Sequence, residues 1–239
     1  MIDLHTHFLP GVDDGAQTLA DALSLAKAAV ADGIHTAVLT PHVHPGRYDN
    51  ELKSLSVRFA AFRDALRDAA IPLDIRLGAE VRLSVESLEL LLDERIPFIG
   101  RVDGYKVMLL EFPHQSIPVG SERFVDKLLA LGVRPLIAHP ERNKTVMLDP
   151  MRLTPFLDAG CWLQLTAGSV AGHFGKAAQE TASFILQHNW AQVIATDAHN
   201  LEHRPPVLKA GYLAAAAIVG EAQAKAMVLD FPARILGVS

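Results

Sequence analysis

The chain has 239 residues, close to the ~250 typical of a single α/β barrel. Its net charge of −5 includes no basic stripe, so no nucleic-acid partner is expected. A single cysteine, Cys161, excludes an internal disulfide and agrees with a reducing cytosol. No apolar stretch is long enough to cross a bilayer, so we expect a cytoplasmic protein without direct membrane insertion. With no linker-like segment, residues 1–239 are predicted to form one domain.

Short β-prone runs alternate with segments of helical spacing along the chain. The β-prone runs are residues 1–5, 35–40, 73–79, 106–112, 134–139, 161–166 and 192–196. The clearest helical segments are residues 19–32, 51–70, 119–131 and 176–188. Apolar strands alternating with helices are typical of a parallel sheet covered by helices. The sequence therefore predicts an α/β protein with about seven strands.

Histidines and carboxylates follow the ends of these predicted strands. In chain order they are His5, His7, His42, His44, Glu80, Glu111, His139, Asp197 and His199. The carboxyl ends of parallel barrel strands meet at one rim, where such folds place their chemistry. Imidazole nitrogens and carboxylate oxygens together are suitable ligands for Zn²⁺, Mn²⁺ or Fe²⁺. The pattern therefore predicts a metal centre at that rim.

Taken singly, several of these residues have another interpretation. An H-x-H pair such as His5 and His7 can be incidental, and one of Asp13 and Asp14 is expected to serve a turn or helix cap while the other completes a metal site. Glu111 could instead form a salt bridge across the barrel, and His44 could be a surface residue. Histidines in helices, in loops or at the opposite rim are expected to be bystanders: His35, His114, His173, His188 and His203.

Motifs for a protein nucleophile or a phosphate loop are absent from the sequence. Cys161 is not followed by an arginine at the spacing of cysteine-dependent phosphatases, and no G-x-S-x-G elbow occurs. Neither G-x-x-x-x-G-K-[ST] nor G-x-G-x-x-G occurs. A metal-activated water is the expected nucleophile.

An ordered set of motifs covers nearly the whole chain. It consists of Asp3-Leu4-His5-Thr6-His7, Val12-Asp13-Asp14-Gly15, Thr40-Pro41-His42, Gly78-Ala79-Glu80, Leu110-Glu111-Phe112, Ala138-His139-Pro140-Glu141-Arg142 and Thr196-Asp197-Ala198-His199-Asn200 followed by Arg204-Pro205-Pro206. This set resembles the PHP (polymerase and histidinol phosphatase) superfamily. More closely, it is similar to the manganese-dependent bacterial tyrosine-protein phosphatases of capsule and exopolysaccharide biosynthesis. The resemblance implies a distorted (β/α)7 TIM-like barrel, the PHP fold, with a trinuclear metal centre.

The resemblance also implies residue roles. It assigns a first ion to His5, His7, Glu80 and Asp197, a second to Glu80, Glu111 and His139, and a third to Asp14, His42 and His199. It makes Arg142 and Arg204 the catalytic arginines that contact the phosphate. Arg47 is a further substrate-binding candidate, although its loop departs from the more basic version found in the family. Three Mn²⁺ ions are expected, with Zn²⁺, Fe²⁺ or Mg²⁺ as other options.

The implied substrate is a phosphotyrosine protein, namely the C-terminal tail of a membrane-associated tyrosine kinase that controls polysaccharide synthesis. One alternative is a histidinol-phosphate or other small-molecule phosphatase of the same superfamily. A metal-dependent amidohydrolase usually needs a lysine at a later strand end, where this chain has Glu80 and Glu111. A non-catalytic metal-binding module would be expected to have lost ligands, and none of the nine is missing here.

Overall fold

The computed structural model describes residues 1–238. Its strands are β1 (Ile2–Thr6), β2 (Thr36–Leu39), β3 (His42–Val43), β4 (Asp74–Leu77), β5 (Glu80–Arg82), β6 (Gly100–Val102), β7 (Tyr105–Glu111), β8 (Val133–Ala138), β9 (Trp162–Thr166) and β10 (Ala191–Ala195). The helices are α1 (Leu19–Asp32), α2 (Leu52–Asp68), α3 (Val85–Leu92), α4 (Ser121–Ala130), α5 (Lys144–Leu148), α6 (Thr154–Asp158), α7 (Ala167–Val170), α8 (Lys176–Gln187), α9 (Lys209–Val219), α10 (Glu221–Lys225) and α11 (Phe231–Leu236). Short 3₁₀ turns lie at Pro140–Arg142 and Pro150–Leu153, and a π turn lies at Ala226–Asp230.

Parallel strands close into a barrel. One run pairs β1, β2 and β4, and the other pairs β3, β5, β7, β8, β9 and β10 in that order. A parallel bridge between Thr6 and Ala198 brings the end of β10 back to β1. If β2 with β3 and β4 with β5 each count as one interrupted strand, the barrel has the seven positions of the predicted (β/α)7 fold. This fold prediction is confirmed.

Two predicted strands are interrupted near their carboxyl ends. Residues 35–40 lead into Pro41, which has no amide hydrogen to donate to a ladder. Residues 73–79 break at Gly78-Ala79, and pairing resumes when the Glu80 amide donates to the Pro41 carbonyl at 3.1 Å. The breaks place His42 and Glu80 in register with each other on short strands at the rim.

Apolar residues form one core outside the barrel, under the helices, and a second core that draws on alternate residues of the strands. Alternate residues of a strand share a face. The second core includes Ile2, Leu4, Val107, Leu109, Leu136, Ala138, Val193 and Ala195, with Ile235 from α11. The barrel interior is therefore packed rather than open, and polar residues are concentrated at its carboxyl-end rim. Within residues 1–238, no helix combines the length and apolarity needed to span a membrane.

Candidate metal centre

The structure brings the nine predicted ligand residues together at the carboxyl-end rim. Their ligand atoms form three groups in which all atoms lie within 4.8 Å of one another: His5, His7, Glu80 and Asp197; His7, Asp14, His42 and His199; His42, Glu80 and Glu111. The first group matches the set predicted for the first ion. The other two differ from prediction by including His7 and His42. His139 lies outside these groups, but its Nε2 is 2.7 Å from Glu80 Oε1.

Hydrogen bonds fix which nitrogen of His5 and of His7 carries the proton. Gln164 donates from Nε2 to the Leu165 carbonyl (2.7 Å), which leaves its Oε1 to accept from His5 Nδ1 at 2.8 Å. His7 Nδ1 donates to the Asp13 carboxylate at 2.8 Å. With both Nδ1 atoms donating, both Nε2 atoms present lone pairs.

Those two lone pairs face each other inside the barrel rim. His5 Nε2 and His7 Nε2 are 3.1 Å apart. Glu80 Oε2 and Asp197 Oδ1 lie 3.2 Å from the first nitrogen and 3.4 Å from the second. Ligands bound at about 2.1 Å with tetrahedral or octahedral angles are separated by about 3.0 to 3.4 Å. Four acceptor atoms thus converge with the spacing that a shared cation requires.

Four buried polar atoms of the cluster, two of them among the atoms just described, have no hydrogen-bond partner among the described residues. They are His42 Nδ1, Glu80 Oε2, Asp197 Oδ1 and His199 Nε2. Buried polar groups are normally hydrogen-bonded, so several unpartnered atoms in one cluster indicate that these residues are suited to hold a cation. Two members also have left-handed backbones, with φ of 33° at His139 and 53° at Asp197. Such strain in non-glycine residues is concentrated at functional sites.

Ionisation in the cluster is strongly perturbed. Burial opposes ionisation of Glu80, but the nearby His5 and His42 imidazoles bring the pKa of this carboxyl well below its usual range. Burial likewise opposes protonation of His42, and the Glu80 and Asp14 carboxylates raise its pKa to about 10. By contrast, burial and then Arg142 lower the pKa of His139 to about 3. The carboxylates therefore draw positive charge to the imidazoles, and metal cations compete with protons for those nitrogens.

Asp13 and Gln164 support the cluster through contacts that the sequence did not predict. Besides holding His7, the Asp13 carboxylate accepts from the amides of Gly15 at 2.9 Å and His42 at 3.0 Å. Asp13 is thus the turn-forming member of the Asp13-Asp14 pair, while Asp14 faces His42 at 3.3 Å. The signal for Gln164 was a polar residue in an otherwise apolar strand.

A cavity of about 260 Å³ opens onto the cluster. It is lined by Asp14, His42, His44, Arg47, Tyr48, Glu80, Arg82, Glu111, His114, His139, Arg142, Asp197 and Arg204. The three arginines predicted to bind substrate are all in this lining. His114, expected to be a bystander, lines the cavity too, whereas His35, His173, His188 and His203 do not. Glu111 also forms an ion pair, at 3.0 Å, but with Arg82, its register partner on the adjacent strand β5, rather than with a residue across the barrel.

Arg142 and Arg204 converge on one carboxylate oxygen. Arg142 Nη1 donates to Asp197 Oδ2 at 2.5 Å, and Arg204 Nη2 donates to the same atom. Arg142 is buried, with its guanidinium carbon 4.9 Å from the centre of the Phe174 ring. Two guanidinium groups next to the candidate metal ligands form a site suited to a phosphate group.

A family model described as capsular polysaccharide synthesis, CpsB/CapC, matches residues 1–237. The chain belongs to the CpsB/CapC family. It is 35% identical over 204 residues to the tyrosine-protein phosphatase YwqE of Bacillus subtilis, covering 85% of this chain and 79% of YwqE. It is 28% identical over 241 residues to the tyrosine-protein phosphatase CpsB of Streptococcus pneumoniae, covering 99% of this chain and 98% of CpsB.

Solved structures agree with this family membership. A chain from the crystal structures of YwqE from B. subtilis and CpsB from S. pneumoniae, described as unique metal-dependent tyrosine phosphatases, matches with a TM-score of 0.91 at 30% identity. That match covers 100% of this chain and 96% of the other. The phosphotriesterase homology protein of Escherichia coli matches at a TM-score of 0.60 and 14% identity, covering 98% of this chain and 97% of the other. That second likeness shows the shared fold alone.

Proposed function

We propose that this CpsB/CapC-family chain is a metal-dependent tyrosine-protein phosphatase that hydrolyses phosphotyrosine with a metal-activated water. The observation that carries the proposal is the convergence of His5 Nε2, His7 Nε2, Glu80 Oε2 and Asp197 Oδ1 beside a cavity lined by arginines. The names of the relatives favour phosphotyrosine over the alternative substrate, histidinol phosphate.

The residues of the chain have distinct tasks in this reaction. Bound metal ions lower the pKa of water and stabilise charge on the phosphoryl oxygens. Arg142 and Arg204 present forked donors to those oxygens and orient the phosphate for in-line attack. Burial, and then Arg142 and Arg204, lower the pKa of His114, so this imidazole is neutral near pH 7 and is a poor acid. A phenol of pKa ~10 is a leaving group that needs less protonation than an alcohol.

The proposal extends to the ions and their ligands. We assign three Mn²⁺ ions to His5, His7, Asp14, His42, Glu80, Glu111, His139, Asp197 and His199. Mixed nitrogen and oxygen ligands suit Mn²⁺ better than Mg²⁺, while Zn²⁺ and Fe²⁺ also accept them. Arg47, which is exposed and lines the cavity, is assigned to the part of the substrate beyond the phosphate.

We further propose a cytoplasmic substrate, the phosphorylated C-terminal tail of a membrane-associated tyrosine kinase that controls capsule or exopolysaccharide synthesis. The description of the family as one of capsular polysaccharide synthesis supports this pathway. Residues 1–239 are proposed to act as one phosphoesterase domain, which the family match over residues 1–237 supports.

Metal removal tests the proposal directly. Chelation should abolish hydrolysis of a phosphotyrosine peptide, and Mn²⁺ should restore it more fully than Mg²⁺. Elemental analysis of the reloaded protein should approach three ions per chain. Histidinol phosphate, assayed in parallel, should be the poorer substrate. Full peptide hydrolysis after exhaustive chelation would contradict the metal mechanism, and faster hydrolysis of histidinol phosphate would contradict the substrate.

Matched histidine variants separate the proposed ligands from the bystanders. His139→Ala should lose activity together with bound metal, because it removes a nitrogen that lies 2.7 Å from Glu80. His188→Ala is the control, since His188 is an exposed residue directly after α8 and its Nδ1 bonds only the Phe184 carbonyl within the described residues. Activity and metal content should stay normal in the control. If both variants fold but lose activity and bound metal to the same extent, the assignment of His139 as a ligand and of His188 as a bystander is wrong.

A further inference from the structure

The lining of the 260 Å³ cavity offers very little apolar surface. Among the described residues that line it, all but one carry a charge or an imidazole. The exception is Tyr48, which is half-buried. A phosphotyrosine substrate brings a phenyl ring, and aromatic rings favour packing against one another in stacked or edge-to-face arrangements. Tyr48 is therefore the one lining side chain with a benzene ring like that of the substrate.

Tyr48 is held in place before any substrate arrives. Its amide donates to the His44 carbonyl at 2.8 Å, and its carbonyl accepts from the His44 amide at 3.1 Å. Its ring lies nearly parallel to the His42 imidazole, with centroids 5.4 Å apart and an angle of 8° between the planes. Because His42 belongs to the ligand cluster, its imidazole separates the Tyr48 ring from the proposed metal centre.

The surroundings of Tyr48 leave room for a second ring. Tyr48 also lines a neighbouring cavity of about 280 Å³, so it stands where the two cavities meet. The Arg47 guanidinium carbon lies 5.0 Å from the centre of the Tyr48 ring. Arg47 is exposed, so its side chain is free to move when a substrate ring approaches.

We propose that Tyr48 packs against the phenyl ring of the substrate and selects aryl phosphates over alkyl phosphates. The phosphate then reaches Arg142 and Arg204, while the ring stays at the mouth of the cavity. This inference rests on the proposed phosphatase function and names the residue that discriminates phosphotyrosine from phosphoserine.

The test compares phosphotyrosine and phosphoserine hydrolysis by the metal-loaded protein and its variants. Tyr48→Phe should keep the wild-type ratio of kcat/KM for the two substrates, because the ring remains. Tyr48→Ala and the bulkier Tyr48→Leu should lower that ratio about two- to tenfold, mainly through KM for phosphotyrosine. The inhibition constant of methylphosphonate divided by that of phenylphosphonate should fall by the same factor in Tyr48→Ala and Tyr48→Leu. These inhibitors are not cleaved, so this comparison measures binding alone. Comparing variants in this way cancels the intrinsic difference between the two leaving groups.

Other outcomes overturn the inference. If Tyr48→Ala and Tyr48→Leu slow both substrates by one factor and lose metal, the ring only supports His42. If Arg47→Ala lowers the ratio and the Tyr48 variants do not, Arg47 is the discriminating residue. If the wild-type protein hydrolyses neither substrate, the phosphatase proposal fails and this inference fails with it.

Discussion

Asp197 joins the metal-binding and phosphate-binding parts of the proposed site. Its Oδ1 lies 3.2 Å from His5 Nε2, and its Oδ2 accepts from Arg142 and Arg204. Burial opposes ionisation, but His5 and the two arginines hold the pKa of this carboxyl well below its usual range. The side chain therefore stays ionised, and it fixes the distance between the candidate ligands and the arginines.

Arg142→Ala should reduce turnover of a phosphotyrosine peptide about a hundredfold, the effect of losing ~3 kcal/mol of stabilisation of phosphoryl charge. Metal content should be retained, because guanidinium is not a ligand. Arg142→Lys should recover only part of the loss, since an ammonium keeps the charge but not the fork. Steady-state kinetics with elemental analysis measure both effects, and Arg67→Ala on the exposed surface of α2 is the control. Near-normal turnover in Arg142→Ala would leave Arg204 as the remaining candidate.

Elements whose apolar pattern is long and regular are the ones that the sequence predicts well. Helix α1 has the predicted bounds, and β7 to β10 lie within one or two residues of their predicted runs. The antiparallel β6–β7 hairpin was missed, although Asp103 and Gly104, both with positive φ, carry a typical hairpin turn signal. Helices α9 and α10 were also missed, because their alanine-rich segments show little polar periodicity.

The candidate site was likewise only partly predictable from the sequence. Strand-end histidines and carboxylates were recognisable because each follows an apolar run. Gln164 was not, and Asp13 was expected only as a possible turn or cap residue, because their contacts with His5 and His7 depend on which ring nitrogen they face in three dimensions. That His114 lines the cavity could not be predicted for a similar reason, because the turn that brings it there carries no pattern of its own.

Close packing of α9 on α7 gives a prediction at the level of elements. A Cβ added to Gly211 would lie 2.5 Å from the Ala167 Cα and 2.6 Å from its Cβ. Gly-to-Ala changes inside exposed helices usually stabilise by about 1 kcal/mol. Here Gly211→Ala should instead destabilise by about 1–3 kcal/mol, because the helices must separate. Denaturant unfolding measures this, with exposed Leu213→Ala in the same helix as control. A stabilised Gly211→Ala protein would contradict the contact.

The buried thiol of Cys161 can be used to measure unfolding of the whole protein. Cys161 is 3% exposed and lies in the core between the barrel and the helices, and burial raises the pKa of its thiol to about 12. Thiolate is the reactive form, so this residue should resist alkylation until the protein unfolds.

Alkylation of the native protein by iodoacetamide at pH 8 should therefore be slow, and it should become slower still when Mn²⁺ is added. Ions that bind only the folded state reduce the unfolded population. Mass spectrometry follows the labelling, and Ser56→Cys in a Cys161→Ala background supplies an exposed thiol for comparison. Cys161 labelling as rapid as that of the exposed thiol would show that the core opens locally.

Barrel closure has a consequence for how the protein is made. Asp3 accepts a hydrogen bond from the Thr196 amide, 193 residues further along the chain, and Thr6 bridges to Ala198. Contacts between such distant segments form late, because closing a long loop costs chain entropy before any contact is gained. During translation, His5 and His7 therefore emerge from the ribosome long before Asp197 has been synthesised. The growing chain has no complete phosphatase site, so dephosphorylation can begin only after synthesis has passed the last strand.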